Sequence, residues 1–483
     1  MKLRLILATI SILATTTASS ATTTAHSATG DRAADFVTVR DGRFYIGQKE
    51  YRYVGTNMWY GAILASDGQG GNRERLRREL DDMKKTGIDN VRVLVGGDGR
   101  DSIPSHIAPK LQTQPGVYND TLLVGLDRLL AELEQRGMKA VLYFNNAWEW
   151  SGGYGAYLDW IGFEATVDRS DGKGKRHFKQ TPVPTIDGWW EYMQYAANFI
   201  INDKAKELAA QHVRNIVTRV NTVTGQPYKD SPAIMAWEIA NEPRCFINDK
   251  LHKEKFVEWI DTQSRMIKSL DPNHLVTTGS EGKHGCEESI ELFREIHTLP
   301  AIDYACIHIW PNNWGWIGKF DQNYDVDKTI PLDKPDLISL NVQAACDSTL
   351  AYITEAYNTL NTPRESDAET FRKRPVVLEE FGYPRDRFRF DAGSPTTGRD
   401  RYYSYVFSII RDSGMIAGCN FWGWGGRAEV RNTIWQRWDD YVCDPAQEEQ
   451  GLNSVFWKDR STVRIIRQFA KDLARCNPTY RHT

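Results

Sequence analysis

The chain has 483 residues, with 60 Lys and Arg against 63 Asp and Glu, a formal net charge of −3. It is 41% hydrophobic, 25% charged and 11% aromatic, a globular balance that excludes disordered and collagen-like chains. A near-neutral charge offers no basic face to a phosphate backbone, so no nucleic-acid partner is expected.

At the N-terminus Lys2 and Arg4 precede an apolar run at 5–14, and Ala18-Ser19-Ser20-Ala21 follows. This three-part pattern reads as a cleaved secretory signal peptide over 1–21, with a polar, low-complexity leader to about residue 35. The apolar run is too short to span a bilayer. No later segment approaches a span, so a secreted or periplasmic protein without membrane insertion is expected, and a monomer. Export permits disulfides, but seven cysteines is an odd number, which leaves at least one thiol unpaired. The expectation is buried thiols, Cys306 and Cys419 among them, with one or two surface disulfides.

The pattern at 36–47 alternates around Asp41-Gly42, a hairpin signal. From there strand and helix signals alternate. Apolar strands are expected at 53–57, 88–95, 140–144, 233–240, 274–278, 304–310, 376–381 and 417–422. The first helix stripe is Leu76, Leu80 and Met83, stopped near Gly87; the second is Leu122, Leu126, Leu129 and Leu133, stopped by Gly137. Further helical patterns cover 189–221, 251–270, 287–297, 338–361, 399–413 and 462–474. The aromatic, polar stretch from Asn145 to about Asp187 is long for a plain connection and reads as a functional loop. Eight strand–helix units imply a parallel sheet. They fit a single (β/α)8 barrel over 36–483 with extended βα loops and a short N-terminal hairpin, its chemistry at the strands' C-terminal ends. A doubly wound sheet is the structural alternative, but neither GxGxxG nor GxxxxGK[ST] occurs.

Two of those strand ends carry carboxylates. The fourth strand runs into Asn241-Glu242-Pro243 and the seventh into Glu379-Glu380-Phe381-Gly382. Strands four and seven stand on opposite sides of an eight-stranded barrel, so a carboxylate from each can face across its mouth. Glycoside hydrolysis requires such a pair. A lone buried carboxylate would more readily be read as a structural ion pair. Adjacent strand residues point to opposite faces, so Glu379 and Glu380 should not share one; parity alone does not say which faces the site. Glu238 reads as a buried partner, with Arg92 a candidate for it.

These residues resemble those of the retaining glycosidases of clan A, family 5. The resemblance implies Glu242 as acid/base and Glu380 as nucleophile, and it selects Glu380 over Glu379. It further implies substrate-site roles for Arg92, Asn241, His308 and Trp422, the last as a platform under the sugar. Trp310 stands where many members have Tyr; its indole can still donate to the nucleophile. Asn241-Glu242-Pro243-Arg244-Cys245, Asn145-Asn146-Ala147-Trp148 and Gly55-Thr56-Asn57 resemble the endo-β-1,4-mannanase branch, over about 36–477. That branch implies Arg244, Trp59, Asn145 and Trp148 as further substrate contacts and a β-mannan polysaccharide as substrate. A β-1,4-glucanase and a noncatalytic glycan-binding protein are the alternatives. No metal or cofactor is expected: the ten His are scattered, with no HExxH or zinc-type Cys/His spacing.

The 16 Trp and 21 Tyr cluster after strand ends: Trp59 and Tyr60, Trp148 to Trp160, Trp310 to Trp316, and Trp422 with Trp424. Sugar stacking and core packing are equally open for any one of them.

Overall fold

The computed structural model describes residues 35–104, 106–317, 335–365 and 369–476. The signal-peptide reading of 1–21 lies outside the described residues. Eight parallel strands form one sheet: β1 (Tyr53–Asn57), β2 (Asn90–Leu94), β3 (Lys139–Tyr143), β4 (Ile234–Glu238), β5 (Leu275–Thr277), β6 (Ala305–Ile309), β7 (Val376–Phe381) and β8 (Gly418–Phe421). Nearly every strand residue is buried, as expected for a sheet clad by helices and closed upon itself. The order runs β5-β4-β3-β2-β1-β8-β7-β6. β5 and β6 form no ladder. One backbone bond and two side-chain bonds bridge that seam instead: Asp303 N donates to Val276 O (2.9 Å), Val276 N to Asp303 Oδ2 (2.7 Å) and Thr277 Oγ1 to Tyr304 O (2.9 Å). The fold is the expected (β/α)8 barrel.

The expected hairpin pairs Val37–Arg40 with Arg43–Ile46. Asp41 and Gly42 both adopt positive φ, 46° and 74°, the two-residue turn that matches strand twist. Val37 and Phe44 pack on Tyr53, Val141, Leu275, Tyr304 and Val377, which closes the barrel floor. Polar caps begin the helices: Asn72 accepts from Arg75 N (2.9 Å) and Asn202 from Ala205 N (3.1 Å). The Asn202 cap breaks the expected 189–221 helix into Trp189–Ala196, a short 3-10 turn and Asp203–Val217. The 145–187 loop is itself ordered, with a helix at Gly153–Trp160 and a hairpin pairing Ala165–Asp168 with Lys175–Phe178.

The segment between β8 and the final helix (Arg460–Cys476) carries strand Trp424–Gly426, paired with Val455–Phe456. The Asp444 carboxylate organises it, accepting from Gly451 N (2.8 Å), Asn453 N (3.0 Å) and Ser454 Oγ (2.5 Å). Cys245, Cys286, Cys306, Cys346, Cys419 and Cys443 are buried free thiols. The expected surface disulfides are therefore not found among these six; each sits in the packed interior, away from the surface.

Candidate active site

Arg92 stands at the centre of the barrel mouth, fully buried. Its guanidinium has five N–H donors, and all five are used. Nε donates to Glu238 Oε2 (2.9 Å) and Nη2 to Glu238 Oε1 (2.5 Å). Nη2 also reaches Asn241 Oδ1 (2.8 Å) and Nη1 reaches Asn57 Oδ1 (3.0 Å). The last donor goes from Nη1 to Glu380 Oε1. Arg92 thus ties β1, β2, β4 and β7 together beneath the cleft. Glu238 is its bidentate partner, as the sequence reading anticipated.

The β7 end departs from simple alternation. Ile307 pairs with Leu378 but His308 pairs with Glu380, so Glu379 is the extra residue of a β-bulge. A bulge suspends the in–out alternation, and both glutamates turn inward. Glu379 Oε1 accepts from Tyr304 OH (3.4 Å), while its Oε2 lies 3.9 Å from both Arg92 Nε and His308 Nε2. The expectation that the two cannot share a face is corrected by this bulge. Glu380 is the one at the cleft, where its Oε2 also accepts from Trp310 Nε1 (3.1 Å). The indole donor expected in place of a tyrosine is present.

At the β4 end, Glu242 adopts left-handed backbone, φ 50°, uncommon for a non-glycine and typical of functional sites. Its N donates to Gly279 O (2.9 Å). Gly279 itself has φ 83°, and a Cβ there would meet Ala240 O at 1.8 Å and Glu238 Oε1 at 2.3 Å; only glycine fits. Glu242 Oε1 contacts His308 Nδ1 (2.8 Å) and its Oε2 accepts from Trp148 Nε1. One oxygen of Glu242, one of Glu380 and a His308 ring nitrogen lie within 4.8 Å of one another.

Burial is the largest influence on both glutamates and lifts both above the ordinary carboxyl range, Glu380 the further, so the groups bonded to each, not burial, must separate their roles. Charges this close do not readily coexist, so the pair holds a proton between them. The donors decide where it sits. Glu380 is bonded by a guanidinium, which favours its ionised form. The groups bonded to Glu242 are neutral: an indole, and a His308 whose pKa burial pushes down to about 4. The cation that acts on it most, Arg244, is engaged by Glu281 through Nε (2.8 Å) and Nη2. The charge therefore belongs on Glu380 and the proton on Glu242. Glu242, His308 and Glu380 also have the residue types of a cation site. The lone pairs a cation would take are those that accept from Arg92, Trp148 and Trp310, so the trio suits proton transfer better than ligation.

Above this pair opens a cleft of about 880 Å³, lined by Asn241, Glu242, Arg244, Trp148, Trp310, Glu380 and Trp422 among others. The rings of Trp310 and Trp422 lie 5.7 Å apart at 72°. Arg244 lies over the Trp148 ring, 5.2 Å from its centroid. Arg92 and His308 lie beneath the cleft wall, fully buried, where they position carboxylates. Asn145 also supports from behind: its carbonyl accepts from Asn241 N (2.7 Å), and Asn146 Oδ1 accepts from Asn241 Nδ2 (3.1 Å).

Trp59 does not reach the cleft. It is 1% exposed, its Nε1 donates to Cys443 O (2.7 Å) and the Tyr441 ring lies against it at 4.9 Å. The segment after β8 has folded over it. Tyr60, Tyr154, Tyr157 and Trp424 are likewise core residues. In place of Trp59, the same segment sends Gln447, Glu448 and Asn453 to the cleft wall. Burial, with Asp444 next, pushes Glu448 up to about 8. Glu281, four residues beyond β5, could have been found by the strand-end rule. Nothing in the sequence of 445–453 marks it as cleft wall.

A (β/α)8 barrel with two carboxylates facing across its mouth is the architecture of a glycoside hydrolase. The chain belongs to glycoside hydrolase family 5: the family model described as "GH family 5 beta-mannosidase-like" matches residues 34–478. It is 29% identical to a family 5 mannosidase of Rhizomucor miehei, covering 92% of this chain and 99% of that one with a TM-score of 0.74. It is 26% identical to mannan endo-1,4-beta-mannosidase 7 of Arabidopsis thaliana over 90% of this chain and 87% of that protein. An endo-1,4-beta-mannanase of R. miehei shares the fold at 21% identity and a TM-score of 0.60 over 91% of this chain and 99% of that one.

Proposed function

We propose that this enzyme hydrolyses internal β-1,4-mannosidic bonds of mannans, glucomannans and galactomannans with retention of configuration. The observation that carries the mechanism is the closeness of the two carboxylates, with oxygens within 4.8 Å. Retaining enzymes hold their carboxyl groups about 5–5.5 Å apart; inverting ones leave about 6.5–9.5 Å for a water. Glu380, ionised beside Arg92, attacks the anomeric carbon while Glu242 gives its proton to the leaving oxygen. Glu242 then takes a proton from the water that releases the sugar from Glu380. Asn241 uses one amide N–H on Asn146 and keeps the other for the sugar 2-hydroxyl. Trp422 supplies the face beneath the ring.

The mannan substrate is supported by the likeness to the Arabidopsis protein. One observation favours a second reading, action from a chain end. Tyr441 and Cys443 cover Trp59, and Tyr441 OH bonds both N (2.9 Å) and O (2.7 Å) of Ala108, so the cleft is walled on the side of the β1 and β2 loops. The likeness to a protein described as a mannosidase agrees with that wall. Reducing-end release from β-mannan and from soluble cellulose, side by side with Glu380→Ala, tests the assignment. Release from mannan alone, lost in the variant, supports it; release mainly from cellulose overturns the substrate. A fast fall in mannan viscosity marks internal cleavage, and sugar release without that fall marks chain-end action.

Export through the N-terminal signal belongs to the same proposal, since a polysaccharide is met outside the membrane. No helix among the described residues is long and apolar enough to cross one. Mass spectrometry of protein from the culture medium should find a chain beginning near residue 22.

A further inference from the structure

The helix Trp189–Ala196 begins with two adjacent tryptophans, 47% and 50% exposed. Large aromatic surface left in water is costly to hydrate, so each invites a partner. They differ in where they stand. Trp189 lines the cleft beside Pro184 and Thr185, whereas Trp190 does not. Trp189 meets Trp148 edge to face, ring centroids 5.6 Å apart at 84°. Trp148 in turn donates to Glu242. Glu242, Trp148 and Trp189 therefore form a path leading outward from the cleft floor, away from Glu380, Trp310 and Trp422.

An acid that protonates the leaving oxygen has the leaving sugar on its own side. Trp148 flanks the first such sugar, and Trp189 stands one step further out. We infer that Trp189 is a stacking platform for a second leaving-side sugar of the polysaccharide, a subsite built by the excursion after β3. Pyranose rings present apolar C–H faces of the size of an indole, and a fixed aromatic plane contributes contact area at little conformational cost.

The platform is held rigidly. Glu191 Oε1 accepts from Ser170 N (3.0 Å) and Ser170 Oγ (3.1 Å). Gln194 accepts from Asp168 N (3.1 Å) and donates to Asp168 O (2.8 Å). Asp187 accepts from Val183 N (3.0 Å) and pairs with Arg176 at 2.6 Å. The helix that carries Trp189 is thereby pinned to the 165–178 hairpin, and its indole keeps its place at the cleft without a ligand.

This inference rests on Glu242 being the acid, and the test separates the two. Trp189→Ala, Trp189→Phe and Trp190→Ala are assayed on a linear hexaose of whichever β-1,4 series, manno or cello, the wild type cleaves. They are assayed in parallel on the matching nitrophenyl β-glycoside, whose leaving group fills only the first position. For Trp189→Ala the ratio of kcat/KM on the hexaose to that on the nitrophenyl glycoside should fall roughly tenfold, about one stacking contact. The loss should lie in KM. Trp189→Phe should recover part of it, and Trp190→Ala should match wild type. An unchanged ratio overturns the inference, as does an equal loss on both substrates, which would mean that Trp189 acts through Trp148. A wild type that cleaves neither substrate overturns the role of Glu242 and this subsite with it.

Discussion

The ends of β4 and β7 each supply two inward carboxylates, one to the cleft and one beneath it, yet they do so by different backbones. On β4 the two are Glu238 and Glu242, spaced along the strand and its continuation, with the left-handed turn at Glu242 lifting the second to the cleft. On β7 they are neighbours, Glu379 and Glu380, turned the same way by a bulge. The buried members also differ. Glu238 receives two guanidinium bonds from Arg92, whereas Glu379 Oε2 has no hydrogen bond among the described residues. The carboxylate beneath the cleft is thus held by a bidentate charge pair on β4 and placed by the bulge on β7. The cleft carboxylate that shares Arg92 becomes the ionised one.

Losing Glu380 should harm the enzyme most. Glu380→Ala should lower kcat on mannan by at least about 10⁴-fold, the loss expected when a nucleophile and its covalent step are removed. Added azide should restore turnover and yield the α-glycosyl azide, because the anion then attacks from the nucleophile's vacated face. Glu242→Ala should cost about 10²–10⁴-fold on polymer and far less on a dinitrophenyl glycoside, whose leaving group needs no proton. Its azide product should be the β anomer. The same anomer from both variants would contradict the split of roles. In the wild type, kcat/KM should be bell-shaped with pH, falling on the acid side as Glu380 gains a proton and on the alkaline side as Glu242 loses one.

Glu238→Gln breaks the bidentate pair and should destabilise the fold by about 3–5 kcal/mol in urea melts. Glu379→Gln should change it by less than about 1 kcal/mol, since burial already raises Glu379 toward its neutral form. Equal losses would mean that Arg92 holds both strands alike. The smallest effect concerns a group away from both strand ends. Glu149, whose carboxyl oxygens accept no hydrogen bond among the described residues, is pushed by burial from 4.5 up to about 7. Folded, it keeps its proton to higher pH than unfolded, so its contribution to stability is lost as pH rises through that window, at most about 3 kcal/mol. Glu149→Gln should therefore gain stability relative to wild type between pH 5 and 7.5, read by melting temperature at each pH.

The barrel was legible because eight apolar strands alternate with helices, and each strand has its counterpart in the structure. Arg92, Asn241, Glu242, Trp310, Glu380 and Trp422 could be placed at strand ends because barrel chemistry gathers there. What could not be read depends on backbone detail or on distant chain. The bulge at Glu379 leaves no mark in residue type, since a strand of six buried residues looks the same with or without it. Trp59 follows a strand end as Trp422 does. It is core only because Tyr441 and Cys443, some 380 residues later, fold over it. Single-strand patterns carry no information about such a cover, which is why the wall at 445–453 and the platform at Trp189 emerged only from the fold.

Everything in the proposed mechanism depends on Glu242 and Glu380 acting as a retaining acid and nucleophile. Proton NMR of mannohexaose during its first minutes with the wild-type enzyme tests it most directly. The new reducing end should appear as the β anomer and only later mutarotate. First appearance of the α anomer would contradict it.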